Sequence, residues 1–285
     1  MGMNSRNKGL IEIHSAVFLF GISGLFGKLL TISPIIIVLG RVLFSSICLF
    51  FIVKYLHMAI KLKCRLHYGY FGMMGMLLAI HWCTFFQSIQ VSTVAIGLLT
   101  FSTFPIFVTF LEPYFFKEKL YLSDIAAAAI TFLGVLLVVP HFKMGNTMTQ
   151  GVIWGILSGF SYAALSMLNR KFVKAYASVK IAFYEQGTAV ILLLPFLLLQ
   201  QPVFKTRDVM LLLALGVFFT GISHIIFIDG LKYVKTKTAG IISSLEPMYG
   251  IVFSLLLLGE IPSIRELVGG SLILTAVFYS TLKKQ

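Results

Sequence analysis

The stretch FPIFVTFLEPYFFKE (residues 104–118) returns 142 positions later, in altered form, as EPMYGIVFSLLLLGE (residues 246–260). At that offset Pro105 meets Pro247 and Glu118 meets Glu260, and further along Asp124 meets Glu266, Ala127 meets Gly269, Gly134 meets Ala276 and Val135 meets Val277. Upstream, at one residue more, His81 meets His224. Each match is weak alone; together they describe one unit present twice, over residues 1–145 and 146–285.

Composition identifies the unit. With 58% apolar and only 12% charged residues, and a mean hydropathy of +0.96, the chain has too little polar surface to cover a water-soluble globule. Ten apolar runs recur, among them Ile11–Leu30, Ala95–Phe116, Leu122–Pro140, Val209–Ile228 and Thr238–Leu258. Each is near the roughly 20 residues that cross a ~30 Å hydrocarbon layer as helix. Five runs per unit is an odd number, so the second unit enters the bilayer upside down. The expected fold is an all-α integral membrane protein with ten transmembrane helices as two inverted five-helix repeats. The connections leave no room for a soluble domain, and MGMNSRNKG (residues 1–9) precedes a first helix without a small-residue cleavage site.

The net charge of +13 is sorted by side of the membrane, which argues against a nucleic-acid patch. Alternate helix ends collect seventeen Lys and Arg residues, from Arg6 and Lys8 through Lys61, Lys63 and Arg65 to Lys283 and Lys284. The opposite ends hold Lys143, Lys205, Arg207 and Arg265. By the positive-inside rule both termini lie in the cytoplasm of a cell inner membrane. Cys48, Cys64 and Cys83 have no metal spacing and read as free thiols. No zinc or phosphate-loop motif is present, and no cofactor is expected.

Inverted repeats characterise secondary transporters, which exchange two conformations around a midplane site, although a channel or scaffold can carry them too. The chain further resembles the EamA-type carriers of the drug/metabolite transporter superfamily. That resemblance rests on FGISGLFGK (residues 20–28), on Pro105 thirteen residues before Glu118, and on SLEPMYGIVFSLLLLGE (residues 244–260). Phe20-Gly21 stands where the family often has Trp-Gly. The resemblance implies a permease of small metabolites, with the first, third, fourth, sixth, eighth and ninth helices around a cavity and the fifth and tenth as scaffold. Amino acid or related metabolite export is the activity it suggests, driven by a proton or another gradient. Uptake of a cationic, cofactor-like solute such as S-adenosylmethionine is the alternative, motivated by the number of membrane-depth carboxylates.

Charged groups at membrane depth cost about 2.5–3.5 kcal/mol each on insertion scales, so they pair or serve a pathway. Lys28, Arg41, Glu185 and Glu246 are such groups. For Arg41 and Glu185 the first reading is a tie between peripheral helices, and substrate or proton binding is the alternative. Glu246 lies eight residues into the ninth helix, ~12 Å deep, beside Pro247, which removes a backbone donor. It is the leading candidate for a cationic group or a coupling proton. The other Leu-Glu-Pro glutamate, Glu112, falls near a helix end within reach of water and lysines. His81 and His224 are reserve proton carriers. Trp82 and Tyr249, with Phe101 and Tyr162, offer ring faces, and Lys28 or Arg41 offers a cation for a substrate carboxylate. Gly21 and Gly24, like Gly155 and Gly159, recur at helical spacing and read as close-packing positions.

Two other classes compete. GISG (residues 21–24) resembles the Gly-x-Ser-Gly of intramembrane serine proteases, but no histidine is followed four residues later by the asparagine that family carries. A lipid scramblase is distinguished by asking whether a water-soluble solute competes for transport.

Overall fold

The computed structural model describes residues 5–117, 119–138, 145–234, 236–243 and 245–282. Glu118, Pro140, Lys143, Lys235, Lys283 and Lys284, and the side chains of Asp124 and Lys237, lie outside what is described. The described residues are helical, without strands. In chain order they form α1 (Ser5–Ser23), α2 (Phe26–Leu29), α3 (Pro34–Tyr55), α4 (Arg65–Val91), α5 (Val94–Phe101), α6 (Phe104–Phe116) and α7 (Leu122–Val138). The second half forms α8 (Thr147–Phe172), α9 (Ser178–Gln200), α10 (Thr206–Gly216), a π-helical turn (Val217–Ile222), α11 (Ser223–Gly230), α12 (Thr236–Ser243), α13 (Glu246–Leu258) and α14 (Ile264–Leu282). Among the described residues seven helical stretches are long and apolar enough to cross a membrane, with shorter apolar helices beside them.

The polarity of the molecule is inverted relative to a soluble protein. Large apolar side chains such as Phe132, Ile191, Leu198 and Leu256 point outward, while Arg41, His81, Glu185, His224 and Glu246 are buried. That arrangement suits a lipid surround around a polar centre.

Local chemistry sets several boundaries. Ser33 and Thr93 accept hydrogen bonds from the amides of Ile36 and Ile96 and so start α3 and α5, and Asn146 does the same for α8 through Met148. The runs Ala95–Phe116 and Thr238–Leu258, expected as continuous helices, are instead each broken into two. The breaks precede Pro105 and Pro247, which occupy the first turn of α6 and α13, where a missing amide proton costs no internal bond. The two broken helices match boundary for boundary at the 142-residue offset. α5 and α6 become α12 and α13 with no residue gained or lost, and left-handed Lys117 and Gly259 end them at equivalent places.

Packing follows the same exchange of halves. α4 lies on α8 as α11 lies on α1, and α5 and α6 lie on α8 as α12 and α13 lie on α1. α3 packs on α9 and α7 on α14, each pair mapping onto itself. Where α7 meets α14, a Cβ on Gly134 would stand 2.8 Å from the Gly269 carbonyl oxygen, so the two backbones touch. A third departure from the expected helices lies in Val209–Ile228, where the π turn interrupts the α-helical ladder. Thr220 sits in it and donates its hydroxyl to the Leu215 carbonyl at 2.7 Å.

Candidate functional site

The two helix breaks meet at a cavity among the helices. It is lined by Phe20 and Ser23 from α1, Arg41 from α3, His81, Trp82 and Phe85 from α4, Phe101 from α5, Tyr162 from α8, His224 from α11 and Glu246 from α13. Its accessible volume, about 20 Å³, holds little more than one water. Ligand pockets usually offer a few hundred cubic ångströms, so the cavity as it stands is too small for a metabolite.

Arg41 is 1% exposed. Its Nε donates to Thr220 Oγ1 at 2.9 Å, its guanidinium lies 3.8 Å from the centroid of Trp82 and 5.3 Å from that of Phe86, and its Nη1 is buried without a hydrogen-bond partner. The Trp82 stack contributes about 2 kcal/mol in a desolvated setting, while an unmet charged donor costs at least about 1–3 kcal/mol. The expected role of Arg41, a peripheral tie, is therefore corrected: it is a wall of the central cavity. The sequence places it in a helix but not on a face of that helix, and the packing of α3 against α10 and the π turn supplies the face.

Glu246 opens the half-helix α13 and faces the same cavity. The unpaired backbone amides of that helix start give its surroundings a positive dipole. Its counterpart in the first repeat, Phe104, packs its ring on Tyr162, 5.0 Å between centroids. One side of the pseudo-symmetric pair is thus acidic and the other aromatic.

The two histidines are held differently. His81 Nδ1 lies 2.8 Å from Ser158 Oγ and 3.2 Å from the Ser158 carbonyl on α8. His224 Nε2 meets Glu185 Oε2 at 2.7 Å. Glu185 is fully buried behind the cavity wall, and its Oε1 has no partner. Like Arg41, Glu185 is drawn into the centre, which corrects its expected role as a tie at the periphery.

Other sequence candidates lie elsewhere. Lys28 donates to the Ser92 carbonyl at 2.6 Å and stands 3.9 Å from Glu260, whose other oxygen accepts from the Val94 amide. It ties α2 to the α4–α5 and α13–α14 junctions at one end of the molecule, so the structure does not bring it to the cavity. Arg170, 142 residues on, pairs with Glu112 at 3.1 Å. Glu112 is 3% exposed, so its expected access to water gives way to an ion pair. Tyr249 turns away from the cavity and meets Phe18 edge-on at 5.3 Å, because one α-helical turn after Glu246 points it at α1.

Gly21 allows the α1 backbone to touch α13, since a Cβ there would stand 2.9 Å from the Glu246 carbonyl oxygen. Gly155 and Gly159 likewise admit Thr100 and the α5–α6 break against α8. Gly24 has only ordinary contacts, at 3.6 Å, and is not a close-packing position. Thr220 and Ser158 went unnoticed in the sequence, as did Gln186, fully buried with both amide atoms unpartnered. The repeat supplied the only signal, by pairing each histidine with a neighbour to be checked.

The model of the EamA-like transporter family matches residues 7–139 and again 149–282. The chain belongs to the EamA-like transporter family. Its two matches bracket the two halves seen in the helix boundaries. An uncharacterized transporter of Bacillus subtilis, YxxF, is 26% identical over 216 residues, 74% of this chain and 69% of that one. An uncharacterized transporter of Archaeoglobus fulgidus is 28% identical over 194 residues, 68% and 69% of the two chains. YicL, an uncharacterized inner membrane transporter of Salmonella typhimurium, is 25% identical over 165 residues, 55% and 54%. A solved crystal structure shares the fold, with a TM-score of 0.69 at 14% identity over 95% of this chain and 96% of that one. This EamA-family protein is a multi-pass membrane transporter.

Proposed function

We propose that this transporter is a ten-helix carrier of two inverted five-helix repeats, residues 1–145 and 146–285, which moves a small zwitterionic metabolite by alternating access. The activity is export of an amino acid or related metabolite across the cell inner membrane, with both termini in the cytoplasm and with proton coupling. The matching boundaries of α5–α6 and α12–α13, and the self-mapping pairs α3–α9 and α7–α14, support the inverted arrangement. The inner-membrane description of the Salmonella relative supports the location.

One observation carries the substrate class. A guanidinium with an unpartnered Nη1 and a carboxylate, Arg41 and Glu246, face one aromatic cavity. In this reading Arg41 receives the substrate carboxylate and Glu246 its ammonium group, while Trp82, Phe101 and Tyr162 pack on what lies between. His81, held by Ser158, orients the cavity's polar wall. Zwitterion binding leaves the buried net charge unchanged, whereas a lone cation or anion would add a charge costing several kcal/mol in a low-dielectric site.

Reconstituted vesicles decide the matter. A panel of L-amino acids, S-adenosylmethionine and a hydrophobic organic cation is offered with and without a pH gradient, to wild type and to Glu246→Gln. Transport of one or more amino acids, reduced at least tenfold in Glu246→Gln, is expected. Unchanged transport in that variant, or movement of the cations alone, would overturn the assignment.

A further inference from the structure

We propose that the buried Glu185–His224 pair is the binding site of a coupling proton, separate from the substrate cavity and reached from it through the imidazole. The proposal rests on the transport reading above and adds to it where the proton sits. The geometry is that of a two-layer site. His224 lines the cavity, and Glu185 lies behind it with no exposed surface, 2.7 Å from His224 Nε2.

The proton balance is simple. Without the proton, a neutral imidazole donates Nε2–H to the Glu185 carboxylate, and the pair carries one negative charge. With it, the pair is neutral, the proton on Glu185 as a carboxylic acid beside a neutral imidazole. Among the described residues, His81 of α4 and Tyr162 of α8 interact electrostatically with the pair, and Arg41 of α3 and Glu246 of α13 line the same cavity as His224. α1 carries Arg6, Lys8, Glu12 and His14 towards its start, where Lys8 is ion-paired to Glu12 and to Asp229. At the centre, therefore, two carboxylates face one guanidinium, and one proton makes the group neutral. A zwitterionic substrate then enters or leaves without changing that balance.

Pseudo-symmetry singles out the same position. α3 and α9 begin 144 residues apart, at Pro34 and Ser178, and that offset sets Arg41 against Glu185. The fold thus has a fixed cation at one of two equivalent places and a titratable carboxylate at the other. Two backbone features bear on it. Gly75 of α4 lies so close to α9 that a Cβ would stand 2.6 Å from the Glu185 carbonyl oxygen, which fixes where Glu185 sits. The π turn ends at Ile222, two residues before His224. A one-residue shift of such a turn rotates the helix after it by about 100°, enough to bring the imidazole to Glu185 or away from it.

The test has two arms, one of which needs no substrate. In the first, purified protein is titrated with acid and followed by infrared spectroscopy. One acid-induced component of the carboxylic-acid carbonyl band should be common to wild type and Glu246→Gln and be missing in Glu185→Gln. In the second, proteoliposomes are given a mixture of labelled L-amino acids. Glu185→Gln and His224→Gln should lose pH-gradient-driven accumulation at least tenfold, and Glu185→Gln should keep exchange at equal pH with a KM within about twofold of wild type. Retained exchange also reports that Glu185→Gln is folded. Gradient-driven accumulation at the wild-type level in either variant, or an unchanged infrared band in Glu185→Gln, would overturn the proposal. If Glu185→Gln does not fold, Glu185→Asp takes its place, and an infrared titration identical to wild type would overturn it. If no amino acid moves at all, the substrate reading fails while the infrared arm still decides the proton site.

Discussion

At the scale of single residues, the most informative side chain is Arg41, because its contacts separate what a charge does from what a shape does. Its planar group stacks on Trp82 while Nε bonds Thr220, an arrangement a lysine ammonium cannot reproduce. Arg41→Lys keeps the charge and loses both contacts, so KM for the transported solute should rise about tenfold, ~1.4 kcal/mol, with the protein still folded; concentration-dependent uptake measures it. The sequence made Arg41 visible as a costly intramembrane cation but not as a cavity residue. Membrane cost depends on depth along the helix, which residue number supplies, whereas the function depends on azimuth, which only the neighbours of α3 supply. Tyr249 failed for the same reason in the opposite sense: right depth, wrong face.

Among the helical elements, the broken pairs and the π turn place the chemistry. Pro105 and Pro247 advertised irregularity in the sequence, since proline cannot donate within a helix, and the structure turns each into the start of a half-helix. The π turn had no such marker. Its Thr220 hydroxyl links the Leu215 carbonyl to Arg41, and Thr220→Val leaves a buried charged donor unmet, at a cost of about 1–3 kcal/mol. Thermal unfolding in detergent should show a lower midpoint for Thr220→Val and a near-native one for Thr220→Ser. Helix contacts yield a paired test as well. Gly21→Ala pushes a methyl against the Glu246 carbonyl and should destabilise by about 1–3 kcal/mol. Gly72 has open space around it, so Gly72→Ala should be neutral, or stabilising by up to about 1 kcal/mol, in the same measurement. Both glycines have helical spacing in the sequence; only the packing tells a contact glycine from an idle one.

At the scale of the whole molecule, the orientation is testable with the protein's own thiols. Cys64 is exposed in the segment between α3 and α4, and Cys48 and Cys83 are half-buried in helices. With both termini cytoplasmic, a membrane-impermeant maleimide should label Cys64 rapidly in inside-out vesicles and not in intact cells, and Cys64→Ser should abolish the rapid labelling. The ion pairs Lys28–Glu260 and Arg170–Glu112 use cations 142 residues apart, one in each repeat. Composition and apolar run length by themselves determined that this is a helical membrane protein, because burying or exposing whole segments is a summed property that a linear text records. The 142-residue offset likewise determined the duplication, down to the register of α6 with α13. Tertiary structure alone decided which polar residues share the cavity. It brought in Arg41, with Thr220 bonded to it and Glu185 behind His224, and left out Lys28 and Tyr249, because convergence depends on helix rotation and crossing, set by contacts between residues distant in the chain.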